Sequence, residues 1–211
     1  MSVPHYSPHD ASLPEGTFQY VRETVTGGNV GASRLSVRGR GTTSTYGRMY
    51  SRVELSPWLL DAGAAEATRL LSTIPVRLSW LNCAAPAHPA KCESPETPAD
   101  LTIRLLSKAL PDASPNGMVM WSDSGGSAAL FFDRALSIRR PGILLPHILG
   151  RAMAHEIVHL LLGVESHSDL GLMRRQWSAE DLRMDSGACL GLSTNAVESM
   201  RTEAARRVLI A

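Results

Sequence analysis

Upstream of residue 146, most of the chain consists of short stretches in which apolar and polar residues alternate. This alternation predicts strands over residues 18–25, 34–40, 48–55, 75–81, 101–106 and 127–132. One helix interrupts them, because residues 58–72 carry apolar side chains at helical spacing, after Ser56 as a candidate N-cap and Pro57 in the first turn. Glycine-rich breaks and the proline-rich segment 82–100 predict loops between these elements.

From residue 146 onward the spacing of apolar residues becomes helical. It predicts a helix over residues 147–162 that ends at Gly163, a second helix beginning at Ser178, and a third from Ser193 to Val208. Strands first and helices afterwards indicate an α+β fold. We expect a loose arm over residues 1–17 and a single domain over residues 18–211, with a sheet-rich part at 18–145 and a helical part at 146–211.

Composition and charge narrow the class of protein. The 211 residues are 44% hydrophobic and 19% charged, which fits a globular chain and excludes a largely disordered one. The formal net charge of +1 gives no reason to expect nucleic acid or an acidic membrane surface as a partner, and no apolar run is long enough to span a membrane. We interpret the arginines of the N-terminal strands as a solvated face: Arg34, Arg38, Arg40, Arg48 and Arg52.

The cysteines indicate which cellular compartment the protein could occupy. Cys83 and Cys92 flank a short Pro- and Ala-rich loop that a disulfide could close, with two free thiols as the alternative, and Cys189 stands alone. A disulfide would favour a secreted or periplasmic protein. In contrast, residues 1–10 have neither the basic start nor the apolar centre of a signal peptide, so the localisation stays open.

The segment HEIVH, residues 155–159, contains the residues best suited to binding a metal and transferring a proton. Residues four apart share a face of a helix, so His155 and His159 can present two imidazole nitrogens to one metal ion. Glu156 lies beside them, where it could accept a proton from a metal-activated water without being a ligand. The surrounding helix is apolar, and polar side chains are costly there unless a partner such as zinc satisfies them. Two hydrogen-bonded core histidines are the alternative.

A zinc site of this kind needs a third protein ligand. His167, in the loop after the helix, is our candidate, and Glu165 in the same loop is the alternative third ligand. Glu180 is a further candidate, although after Ser178 it also fits the first turn of a capped helix.

The stretch HEIVHLLLGVESHSDLGLM, residues 155–173, resembles the metzincin clan of zinc peptidases. Their pattern is HExxHxxGxxH, followed by a methionine in a tight turn beneath the metal, and HSDLGLM is close to the HS…LM of matrixin-like members. Uncharacterised bacterial proteins with an AHEIGHLLLG…HS…GIM core are also similar. In this chain Gly163 comes one residue late and His167 two residues late, and Glu165 occupies the clan's third-ligand position.

The resemblance implies a fold, a metal and residue roles. The fold would be a metzincin-like catalytic domain, with a twisted, mostly parallel sheet, an active-site helix and a small helical C-terminal part. One catalytic Zn²⁺ would be bound by His155, His159 and His167, with Met173 supporting the site from below. The strand over residues 127–132 would be the sheet edge that holds an extended peptide by backbone pairing, with an ordinary core strand as the alternative.

Three functional hypotheses follow from these residues. The leading one is a zinc metalloendopeptidase, a hydrolase that cuts peptide bonds with Glu156 as general base and acid. We expect it to be a monomer whose partner is a peptide or protein substrate. The second is a zinc-binding scaffold with a peptidase-like fold and no turnover, which a closed four-ligand site would favour. The third is a basic interaction protein with an incidental HEIVH, which requires no bound metal.

Overall fold

The chain divides into two compact units, Met1–Thr42 and Thr43–Ala211. This computed structural model describes residues 19–23, 34–38, 43–108, 117–122, 125–163, 166–183 and 192–211. In the first unit, β1 (Gln19–Glu23) pairs antiparallel with β2 (Arg34–Arg38), at two of the predicted strands. The predicted loose arm, residues 1–17, lies outside the described residues, and the predicted single domain over residues 18–211 spans both units.

The described part of the second unit contains a five-stranded sheet. Its strands are β3 (Thr43–Ser51), β4 (Val76–Asn82), β5 (Leu101–Leu106), β6 (Gly117–Ser122) and β7 (Gly125–Phe131). They lie in the order β4-β3-β5-β7-β6, in which the first four are parallel and β6 runs antiparallel to β7. The expectation of an α+β chain with a mostly parallel sheet is confirmed.

Helices accompany the sheet in the second unit. They are α1 (Pro57–Leu70), α2 (Phe132–Ser137), α3 (Leu145–Leu162), α4 (Ala179–Arg183) and α5 (Thr194–Leu209). Single 3₁₀ turns lie at Leu71–Thr73, Ala90–Glu93 and Gly171–Met173. The sequence pattern predicts α1, α3, α4 and α5 but not the short α2. Within the described ranges, no helix combines the length and apolarity that crossing a membrane requires.

Helix α3 is buried along almost its whole length. Every residue from 148 to 161 is buried, because α3 packs against α1, α5 and the strands β5, β6 and β7. Helix α1 comes so close that a Cβ on Gly150 would lie 2.5 Å from the Cβ of Glu66, which explains the glycine at this position. Contacts with several elements therefore fix the helix that carries the HEIVH segment.

The outer strand of the sheet differs from the one that the family resemblance implies. The strand predicted over residues 127–132 corresponds to β7, which pairs with β5 on one side and with β6 on the other. The expectation that it forms the sheet edge is therefore wrong. The edge next to it is β6, which the sequence pattern did not predict. Alternation of apolar residues identifies strands, whereas their order depends on pairing between distant parts of the chain.

The interpretation of the N-terminal arginines as a solvated face is wrong for Arg48. Strand β3 begins at Thr43 rather than at the predicted residue 48, and Arg48 lies within it with 0% exposure. Its Nη2 donates to Asp100 Oδ2 at 2.9 Å, and its Nη1 donates to the carbonyl of Ser94 at 2.8 Å. A buried charge requires such partners, so Arg48 connects β3 to the loop over residues 82–100.

A disulfide closes part of that loop. Cys83 and Cys92 are joined, with their Cα atoms 5.5 Å apart, and the 3₁₀ turn Ala90–Glu93 contains one of them. The loop carries the backbone oxygen that accepts from Arg48, so the disulfide and the buried arginine hold the same segment. Cys189 lies outside the described residues.

Candidate metal centre

Helix α3 brings His155 and His159 together, as their spacing of four residues predicts. Their Nε2 atoms lie 2.9 Å apart, and the rings meet edge to face with centroids 4.5 Å apart. The two side chains are 1% and 4% exposed. Imidazole nitrogens at this depth require polar partners, which neighbouring segments of the chain supply.

A turn at Gly163 brings the third histidine to the same point. Gly163 has φ of +100°, in the left-handed region that glycine adopts without strain, and its N–H donates to the carbonyl of His159 at 2.8 Å. After the turn, His167 Nε2 lies 3.2 Å from His159 Nε2. The donor atoms of His155, His159 and His167 all lie within 4.8 Å of one another, so these three side chains could hold one metal ion.

Of the other ligand candidates, only Glu180 lies among the described residues, and it does not belong to this group. Glu165 lies outside the described residues, and Glu180 is exposed on α4. The start of α4 is instead a reciprocal cap, in which Ser178 Oγ accepts from the Asp181 N–H at 3.1 Å and the Asp181 carboxylate accepts from the Ser178 N–H at 2.7 Å. The capped-helix interpretation of this segment is confirmed.

Hydrogen bonds at Nδ1 determine where the first two histidines carry their protons. His155 Nδ1 lies 2.9 Å from the carbonyl oxygen of Leu172, and His159 Nδ1 lies 3.2 Å from that of Gly163. A carbonyl oxygen only accepts, so each Nδ1 carries the proton and donates it, which leaves a lone pair on Nε2. Two lone pairs that face each other at 2.9 Å form no hydrogen bond. A cation bound by both Nε2 atoms would stabilise this arrangement.

Zinc fits the donor set. Histidine nitrogen binds Zn²⁺ at about 2.0–2.1 Å, so two ligand atoms of a tetrahedral site stand about 3.3–3.4 Å apart. The Nε2 separations of 2.9 and 3.2 Å lie close to that spacing. Three imidazoles are also one of the ligand sets of catalytic zinc, whose fourth coordination position stays open. Other divalent ions of the first transition row accept imidazole ligands as well.

Burial keeps the three histidines neutral. It lowers the pKa of His155 to about 3, in spite of the opposing hydrogen bond to Leu172, and it lowers the pKa of His159. The pKa of His167 is lowered by partial burial and by the positive charge of Arg175. Metal ions bind unprotonated nitrogen, so near neutral pH these ligands need not first lose a proton.

Glu156 is a buried acid beside the first histidine. It is 2% exposed, and burial raises its pKa from 4.5 to about 8 because the protein interior penalises the charged carboxylate. Without a cation nearby, Glu156 is therefore protonated near neutral pH. A divalent cation at the adjacent histidines would favour the carboxylate and lower this pKa.

The turn at Gly171–Met173 supports His155 through one carbonyl group. The carbonyl of Leu172 accepts from His155 Nδ1–H at 2.9 Å and from Trp177 Nε1–H at 3.1 Å. The Trp177 ring also meets His155 edge to face, with centroids 5.5 Å apart, and Met173 is buried within the turn. The role of Leu172 was not predicted, because a backbone carbonyl leaves no side-chain signal in the sequence. The role of Trp177 was not predicted either, and its position shortly after the predicted turn was the only signal for it.

A cavity of about 220 Å³ lies near His155, although none of the three histidines lines it. Ala152, almost one helical turn before His155, and Trp177, which touches the His155 ring, both line it. Its lining combines buried apolar residues with exposed polar ones. The apolar residues include Leu130, Phe131, Ala135, Ile148 and Leu149, and the polar ones include Arg134, Ser137 and Gln176. Its size suits one bulky side chain of a bound molecule.

Comparison with known proteins assigns no family. No family model matches this chain, and a search of curated proteins found none that matches its sequence. The converging histidine nitrogens and the buried glutamate are accordingly the observations from which a function is argued.

Proposed function

We propose that this chain is a zinc-dependent metallopeptidase with a metzincin-like fold. The observation that carries the proposal is the convergence of three Nε2 atoms from His155, His159 and His167, of which the first two present lone pairs. Glu156, next to the first ligand on α3, adds the acid–base group that HExxH peptidases require. The mostly parallel sheet with helices is compatible with the proposed fold.

Zinc held by these histidines would act as a Lewis acid that polarises a carbonyl oxygen and makes a water molecule acidic near neutral pH. The chain's own residues orient the ligands. The Leu172 carbonyl and the Trp177 ring fix His155, and the turn at Gly163 presents His167. Burial of the first two histidines excludes bulk water from that side of the cluster.

Glu156 is the proposed general base and acid. As a carboxylate it would accept a proton from the attacking water, and as a carboxylic acid it would return a proton to the leaving amine. Burial raises its pKa, whereas a nearby cation lowers it, so the two influences oppose each other. A general catalyst acts most effectively when its pKa lies near the pH at which the enzyme works.

The substrate we propose is an extended peptide. Strand β6 is an outer strand among the described strands and packs next to α3, so a peptide paired with its outer edge would lie near the helix that carries His155 and His159. The cavity beside His155 would accept one side chain of that peptide. This assigns to β6 the peptide-pairing role that the family resemblance placed at residues 127–132.

Hydrolysis of a mixed peptide library, followed by mass spectrometry, tests the proposal. Zinc-loaded wild type is expected to cleave peptide bonds, and Glu156→Gln is expected to keep zinc while losing at least about a hundredfold in rate. Glu54→Gln, which changes an exposed acid, is the matched control. Zinc binding without cleavage by wild type would favour the non-catalytic scaffold, and full activity of Glu156→Gln would overturn the assigned role.

A further inference from the structure

The loop before His167 places a hydroxyl group against the second histidine. Ser166 Oγ lies 3.0 Å from His159 Nδ1 and 2.7 Å from the carbonyl oxygen of Gly163. The same carbonyl oxygen lies 3.2 Å from His159 Nδ1. Ser166 thus contacts both the turn that ends α3 and the ring of one ligand, and it directly precedes the next ligand, His167.

The direction of each hydrogen bond follows from the chemistry of the atoms. The Gly163 oxygen only accepts, so the hydroxyl of Ser166 donates its single proton to it across 2.7 Å. A lone pair of Ser166 Oγ then remains to accept the proton on His159 Nδ1. Two acceptors therefore face Nδ1, which favours the tautomer protonated at Nδ1 and leaves the Nε2 lone pair for a metal.

We propose that Ser166 is a positioning residue of the zinc site, which fixes the tautomer of His159 and closes the turn that presents His167. This inference rests on the proposed function, since it takes zinc to be held by the three histidines. Hydrogen-bond partners of metal-ligating histidines typically change metal affinity by about 10- to 100-fold when they are removed. The Gly163 carbonyl still accepts from Nδ1 without the hydroxyl, so we expect the lower end, about tenfold.

Three variants separate this role from a general loss of structure. Ser166→Ala removes the hydroxyl, and Ser166→Thr keeps one at the same position. Ser168→Ala is the matched control, because its hydroxyl lies in the same loop but donates to the carbonyl of Leu170 at 2.7 Å. Zinc affinity is measured by competition with a chromophoric chelator. Nitrogen-15 NMR of the zinc-free proteins reports the tautomer of His159, which a purely structural role of Ser166 would not shift.

The expected result is a zinc affinity about tenfold weaker in Ser166→Ala and within about threefold of wild type in Ser166→Thr and Ser168→Ala. The NMR spectrum of Ser166→Ala is expected to show a larger fraction of His159 protonated at Nε2. Unchanged zinc affinity and an unchanged tautomer in Ser166→Ala would overturn this inference alone. A wild type that binds no zinc would overturn the proposed function together with it.

Discussion

Replacing Glu156 by glutamine should change the pH dependence of folding stability in the metal-free protein. Burial raises the pKa of Glu156 from 4.5 to about 8, so the folded state holds the proton more tightly than the unfolded chain does. Its contribution to stability is therefore fully present below pH 4.5 and is lost as the pH rises towards about 8. The glutamine side chain of Glu156→Gln is neutral at every pH, so the variant does not lose stability in this way.

The magnitude follows from the difference between the folded and unfolded pKa values. Between about pH 5 and about pH 8, the free energy of unfolding of wild type should fall by about 3 kcal/mol relative to Glu156→Gln. Other titrating groups are common to both proteins, so their contributions cancel in this difference. A bound cation would favour the carboxylate and reduce the effect, so the comparison requires a chelator in the buffer.

Urea denaturation of both proteins at the two pH values measures this difference. Glu54→Gln serves as the control, because it makes the same change from carboxyl to amide at an exposed position. A stability difference between wild type and Glu156→Gln that is the same at both pH values would refute the reasoning. It would mean that burial of Glu156 does not penalise its charge.

Three further changes test parts of the structure. Gly163→Ala places a side chain on a residue in the left-handed region, at φ of +100°. It should lower the free energy of unfolding in urea by about 1 kcal/mol or more and weaken zinc binding. Equal stability of variant and wild type would contradict the turn. Trp177→Phe removes the N–H that donates to Leu172 and should weaken zinc binding by about tenfold in chelator competition; unchanged affinity would count against this support. Replacing Cys83 and Cys92 by serine should lower the free energy of unfolding by about 3 kcal/mol, and unchanged stability under non-reducing conditions would argue against the disulfide.

Residue spacing predicts much of the candidate site because its main contacts are local. His155 and His159 meet because four residues separate them on one helix, and the buried α3 is predicted from its apolar spacing. Gly163 ends that helix, as glycine commonly does, and the turn brings His167 to the pair. A single segment of the chain thus contains all three nitrogen donors.

Features that depend on distant segments were not predicted. Strand β7 lies inside the sheet because it pairs with the earlier strand β5 as well as with the adjacent β6, so no local pattern identified the sheet edge. Arg48 is buried because Asp100 and the loop before it cover β3, although an arginine in a strand usually indicates a solvated face. The roles of Ser166 and of the Leu172 carbonyl depend on a chain reversal whose geometry spacing alone does not specify.

The zinc content of the purified protein tests the central claim most directly. Plasma mass spectrometry on protein prepared with zinc supplied and chelators excluded should find one zinc per chain in wild type. The metal should be lost in His167→Ala and kept in Glu165→Ala, because His167 supplies the third nitrogen of the cluster. Wild type without zinc would contradict the account, and α3 would then be a core helix with two hydrogen-bonded histidines.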